Sequence, residues 1–148
     1  MDSTTTHHGS DLSAEVKTFN WLLGSFVTRT AGVQEAVVVS SDGLLMARSS
    51  KLDEADPERL AAVVSGMTSL SAGASEWYRL GALNRVVVDV SDGYLVVTSI
   101  SRGSSLGVVA SRSANLATVA YEMTLFGTRA QEALTPGLIA ELKIAVQS

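Results

Sequence analysis

Two short units constrain the fold of this chain more than any other feature. Residues 37–47 read VVVSSDGLLMA, and residues 86–97 read VVVDVSDGYLVV. Each is a β-branched run, a Ser-Asp-Gly corner and a second apolar run. β-Branched residues favour extended backbone, and Ser-Asp-Gly is turn chemistry. The pattern predicts two hairpins, hence antiparallel strands rather than strands alternating with crossover helices. In each corner glycine is expected to supply a positive φ and aspartate to bond the turn backbone. Calcium or phosphate binding would need more ligands than either loop offers, so both are read as corners and not as sites.

Helical spacing organises the remainder. Leu12, Val16, Phe19, Leu23, Phe26 and Val27 predict a helix over 12–30, capped by Asp11 or Ser13 and ended by Gly32. Strands are expected at 35–40 and 44–49. Asp56 followed by Pro57 opens a second helix, which runs to about Leu80 and stops at Gly81. Strands follow at 85–90, 94–101 and 106–110, then a helix over 113–132 with Leu116, Val119, Ala120, Met123 and Phe126 on one face. Thr135 and Pro136 start a short last helix. The valine runs at 86–88 and 95–97 suggest a sheet covered on both faces. The expected fold class is α+β: a three-layer α/β/α sandwich with a five-stranded, mainly antiparallel sheet. One central helix would lie on one face and two helices on the other. Residues 1–10 are read as a flexible N-terminal lead, 11–132 as the domain and 133–148 as a short C-terminal helix or tail.

Composition excludes several chemistries. With 148 residues, 46% of them hydrophobic, the chain can bury a real core. The net charge is −4 and the 11 Lys and Arg residues are scattered, which gives no basic face for nucleic acid. Without cysteine there is no disulfide, thiolate catalysis or cysteine-bound zinc, and the expected location is cytoplasmic. No apolar run is long enough for membrane insertion, and the N-terminus lacks the order of a secretion signal. The only histidines, His7 and His8, lie in the lead, so no fold-held base completes a nucleophilic triad. None of Lys17, Lys51 and Lys143 follows a glycine-rich turn, which removes the phosphate loop.

Four weaker candidates have structural readings. Glu54, Asp56 and Glu58 suit a helix start and its dipole better than a metal. SRGSS, residues 101–105, reads as a hairpin loop in preference to an anion cradle. Arg29 at a helix end reads as a dipole partner in preference to an arginine finger. The stray pair His7–His8 lacks further ligands. The chain is therefore expected to be no enzyme and to carry no cofactor or metal.

The second helix is the unusual element. Between Arg59 and Glu76 it has no charged residue. Leu60, Val63, Val64, Met67, Leu70, Ala74 and Trp77 are expected to cover the sheet. The opposite face carries Ala61, Ala62, Ser65, Gly66, Ser69, Ala72, Gly73 and Glu76, where a surface helix would place mostly long charged side chains. Two interior glycines cost about 1 kcal/mol each relative to alanine. Small residues at Ala62, Gly66, Ser69 and Gly73 would let another helix approach closely, and self-association as a two-fold dimer is the economical reading.

The order of elements resembles the Roadblock/dynein light chain domain. So do GVQEAVVVSSDGLLMARSS, the Asp-Pro opening of the small-residue helix, and LGALNRVVVDVSDGYLVVTSISRGSSLGVVASRSANLATVAYEM. The resemblance covers about residues 13–132, and LTPGLIAELKIAV looks like the tail of bacterial members encoded beside Ras-like GTPases. It implies a Roadblock/longin-like, profilin-like fold and a non-enzymatic homodimer in which middle helices pack together and third strands join two sheets. It also implies a small Ras-like GTPase as partner, with hydrolysis stimulated by rearranging the GTPase and without a donated arginine. The interface residues so implied are Ala62, Ser65, Gly66, Ser69 and Gly73 of the helix with Arg85, Val87 and Asp89 of the third strand. Arg85 and Asp89 would discourage uncontrolled edge pairing while permitting a defined one. The alternative is a small-molecule-binding sensory module of similar architecture, which would carry a hydrophobic pocket between sheet and helix.

Overall fold

A computed structural model describes residues 13–49, 56–101 and 103–146. The expectations for the 1–10 lead with His7 and His8, and for Asp11, Leu12, Lys51, Glu54 and Arg102, lie outside them. In chain order the elements are α1 (Ala14–Arg29), β1 (Val33–Ser40), β2 (Leu45–Arg48), α2 (Pro57–Trp77), β3 (Arg85–Val90), β4 (Gly93–Ser101), β5 (Ser104–Ser111), α3 (Leu116–Ala133) and α4 (Pro136–Val146). The five strands form one sheet in the order β2-β1-β5-β4-β3, and all four pairings are antiparallel.

Side-chain alternation along the strands builds two cores. On β1, Ala36 and Val38 face α1 and α3, while Val37 and Val39 face α2. The larger core gathers Phe19, Leu23 and Phe26 of α1 with Met123 and Phe126 of α3. Phe126 meets both phenylalanine rings of α1, at centroid distances of 6.1 and 5.7 Å. Leu138 and Leu142 bring α4 into the same cluster, where it lies along β2 and α1. The smaller core, under α2, contains Val37, Val39, Leu45, Ala61, Val64 and Val97. Packed side chains fill the centre of both interlayer spaces. The clefts left beside them, one under α2 and one between β4 and α3, are lined mainly by polar residues and are not the hydrophobic pocket the alternative sensory module would carry.

Capping side chains place the helix ends. Val16 N–H donates to Ser13 Oγ (3.2 Å), Arg59 N–H to Asp56 Oδ1 (3.1 Å) and Leu138 N–H to Thr135 Oγ1 (3.1 Å). α3 begins at Leu116 rather than 113, because Asn115 caps it through Thr118 N–H (3.0 Å) and Ser111–Ala114 is a turn. α2 ends at Trp77 rather than near Leu80. Its last carbonyls are closed by Leu80 N–H to Ser75 O (2.8 Å) and Arg79 N–H to Glu76 O (3.1 Å), a Schellman closure with Arg79 at φ 58°.

The two Ser-Asp-Gly corners differ. Gly43 has φ 83°, as expected of a tight turn. Gly93 does not have positive φ; it is needed because a Cβ there would stand 2.5 Å from Ala110 O on β5. In the first corner Ser40 accepts from the turn backbone through Leu44 N–H (3.2 Å), and the Asp42 carboxylate takes its own backbone N–H. The Ser40 hydroxyl donates to the Asp42 carboxylate, which also receives Lys143 Nζ of α4 at 3.4 Å. That hydroxyl first, and the lysine after it, hold the Asp42 carboxyl below its ordinary pKa.

Candidate functional site

α2 is rotated on the sheet relative to the expected face. Pro57, Ala61 and Val64 are buried, Leu60 and Met67 are half-buried, and Val63, Leu70, Ala74 and Trp77 are exposed. Ala61, expected outside, lies against the sheet. The cause is a close approach: a Cβ on Gly107 of β5 would overlap Val64 Cγ2, so the helix sits low on the strand. Low seating selects small side chains beneath it and turns the large ones outward. Further along, Thr68 and Ser75 satisfy their own hydroxyls locally, donating to Val64 O (2.8 Å) and Gly81 O (2.6 Å).

The outward face combines small and large apolar residues. Ala62, Gly66, Ser69 and Gly73 are exposed in one stripe. Ser65 is half-buried, with Oγ 3.2 Å from where a Gly43 Cβ would stand. Among the described residues a Cβ at Gly66 or Gly73 would meet nothing within 4 Å, so their packing does not require either glycine. Beside the stripe stand Leu70 and Trp77, 78% and 83% exposed, with Val63 two turns before Leu70.

Next to this helix the sheet ends. Among the described residues β3 pairs with β4 alone. Ser99 N–H donates to Asn84 O (3.4 Å), which makes 84 and 99 a hydrogen-bonded pair. By the antiparallel alternation, Arg85, Val87 and Asp89 turn their N–H and C=O groups out of the sheet. These are the three strand residues singled out in the sequence. Their side chains, however, lie on the α3 face, away from the α2 stripe. Arg85 Nη2 donates to Thr124 Oγ1 of α3 (3.3 Å), and Asp89 pairs with Arg112. The expected eight residues are therefore joined through the β3 backbone and not through one side-chain surface. On the α2 side stand Val86, Val88 and Val90, which were not singled out although period-two alternation distinguishes them.

Arg112 fastens the end of β3. It donates to Asp89 and to Val90 O (3.0 Å) and lies 4.8 Å over the Tyr94 ring. Asp89, by hydrogen bond and then by charge, raises the guanidinium pKa. Arg29 is engaged by Glu122 (3.3 Å) and Ser25 Oγ (3.0 Å), which ties α1 to α3. Ser101 and Ser104 pair across the loop read as SRGSS. Among the described residues no helix is long and apolar enough to cross a membrane.

A five-stranded antiparallel sheet with α2 on one face and α1 and α3, joined by the short α4, on the other is a profilin-like α+β architecture. Profilin IA of Acanthamoeba castellanii shares it at 12% identity and a TM-score of 0.54, over 77% of this chain and 97% of that chain. The Roadblock/LC7 domain model matches residues 19–110, and the chain belongs to that family. A Roadblock/LC7 domain from Streptomyces avermitilis is 31% identical, with a TM-score of 0.72 over 76% of this chain and 94% of that chain. Myxococcus xanthus MglB has the same fold at 13% identity, with a TM-score of 0.72 over 78% of this chain and 93% of that chain. No curated protein sequence matches at a significant level.

Proposed function

We propose that the protein is a non-enzymatic homodimeric regulator or scaffold of a small Ras-like GTPase. In the dimer, the outward face of α2 packs against its copy and the free backbone of β3 joins two sheets. The supporting observation is the pair of helix-interior glycines, Gly66 and Gly73, that face open space. Together they cost about 2 kcal/mol relative to alanine, and close approach of a second helix gives them a use. Leu70, Trp77 and Val63 supply apolar area to cover, and the outward N–H and C=O groups of Arg85, Val87 and Asp89 supply hydrogen bonds. Ala62, Ser69 and Ser65 border that contact.

Family membership carries the regulatory half of the proposal. With Arg29 held by Glu122, the reading is that hydrolysis is stimulated by rearranging the GTPase, with no residue donated. The test uses the purified full chain and a Ras-like GTPase encoded beside it, loaded in turn with GDP and GTP. Binding of one nucleotide state above the other, with Arg29→Ala leaving any acceleration of hydrolysis unchanged, is expected. Failure to bind in both states would overturn the assignment.

A further inference from the structure

On the face of the sheet away from α2, a cleft of about 410 Å³ opens between the β3–β4 pair and the second half of α3. Asn84, Arg85, Thr98, Thr124, Gly127 and Gln131 line it. Three independent features there have no role in the chain's own packing. Thr98 is only 7% exposed, yet its hydroxyl has no hydrogen-bond partner among the described residues. Arg85, directly across from Thr98 in the β3–β4 register, reaches only the Thr124 hydroxyl and pairs with no carboxylate among the described residues. Gly127 is buried inside α3, but a Cβ there would meet nothing within 4 Å. A buried orphan hydroxyl is costly, and a mid-helix glycine without a close neighbour weakens its helix.

A ligand in the cleft would account for all three. The donors that converge are a guanidinium, two carboxamides and hydroxyls, and Arg85 is the one charged residue of the lining. The missing side chain at Gly127 leaves the space. Such a set accepts negative charge spread over several oxygens, which a guanidinium fork binds in bidentate fashion. We infer that this cleft is a binding site for a small oxyanion-bearing metabolite, a carboxylate or a phosphate, held by Arg85 and the Thr98 hydroxyl. The inference goes beyond the regulator reading and stands without it, since α2 takes no part and Arg85 gives the cleft its side chain while its backbone groups face the sheet edge. It would give the domain a small-molecule input on the face opposite its proposed dimer contact.

The full ¹⁵N-labelled chain is titrated with inorganic phosphate and, separately, with succinate, at ionic strength fixed with sodium chloride. Saturable shifts centred on the amides of Arg85, Thr98 and Gly127 are expected with at least one ion. Phosphate alone, succinate alone or both would each support the site and name its chemistry. Thr98→Val keeps the side-chain shape and removes the orphan hydroxyl; Gly127→Leu fills the cleft and favours the helix. Each should melt no lower than the wild type and bind the effective ion about tenfold or more weakly. Absence of saturable shifts with both ions would overturn the inference. So would shifts spread evenly over exposed basic residues, or an affinity unchanged in both folded variants.

Discussion

At the residue scale, individual positions are explained by what their neighbours leave them. Arg79 sits at φ 58° in the closure of α2, a conformation that costs an L-residue about 1–2 kcal/mol and glycine little. Arg79→Gly should therefore raise unfolding stability by about 1 kcal/mol in urea titration, with the slope unchanged. Gly107 lies under Val64, and Gly107→Ala should destabilise by about 1–3 kcal/mol through overpacking, measured in the same way. Asp42 yields a pH prediction. Its carboxyl is held below its ordinary pKa, first by Ser40 and then by Lys143, so the stability it contributes is present at neutral pH. That stability fades as the pH falls below the ordinary carboxylate range and through the lowered value. The carboxyl titration followed by NMR should move up in Ser40→Ala; an unmoved midpoint would show that the hydroxyl is not the cause. Of these positions the sequence announced only the corners. It could not announce that Gly93 serves packing and Gly43 a turn, because that difference depends on β5 lying against one and not the other.

At the element scale, helix and strand identity followed from local pattern, whereas orientation depended on partners. The caps at Ser13, Asp56 and Thr135 and the strand alternation are local chemistry, and both survive in the fold. The buried face of α2 was misassigned because low seating on Gly107 reverses the usual preference for large residues beneath a helix. The periodicity of Leu60, Val63, Met67, Leu70 and Trp77 is real, but only part of it meets the sheet. β3 offers a sharp test. Val87 N–H points out of the sheet, so proline there removes no bond to β4 and is tolerated on an edge strand. Val87→Pro should keep the circular dichroism of the wild type and weaken self-association. Loss of the fold would contradict the strand register deduced here, and unchanged self-association would remove β3 from the interface.

At the scale of the whole molecule, the two faces of one sheet are unequal. The α1/α3 side, with α4, holds the larger core; the α2 side holds a small core and turns uncharged surface outward. The far edge, β2, is accompanied by α4, while the near edge, β3, carries outward backbone groups beside that surface. The architecture was legible from the order of two hairpins and the helix between them. The proposed contact is marked in the sequence only by the absence of charge between Arg59 and Glu76 of α2. The composition of the Thr98 cleft was not legible, because its residues come from β3, β4 and α3. The central claim is that the outer face of α2 is covered by a second copy of the chain. Light scattering on the eluting protein tests it, comparing wild type with Gly66→Arg plus Gly73→Arg, two positions where an added Cβ meets nothing within 4 Å among the described residues. Twice the chain mass is expected for the wild type and the single-chain mass for the folded variant. A variant that stays a dimer, or a wild type that elutes as a monomer throughout, would contradict it.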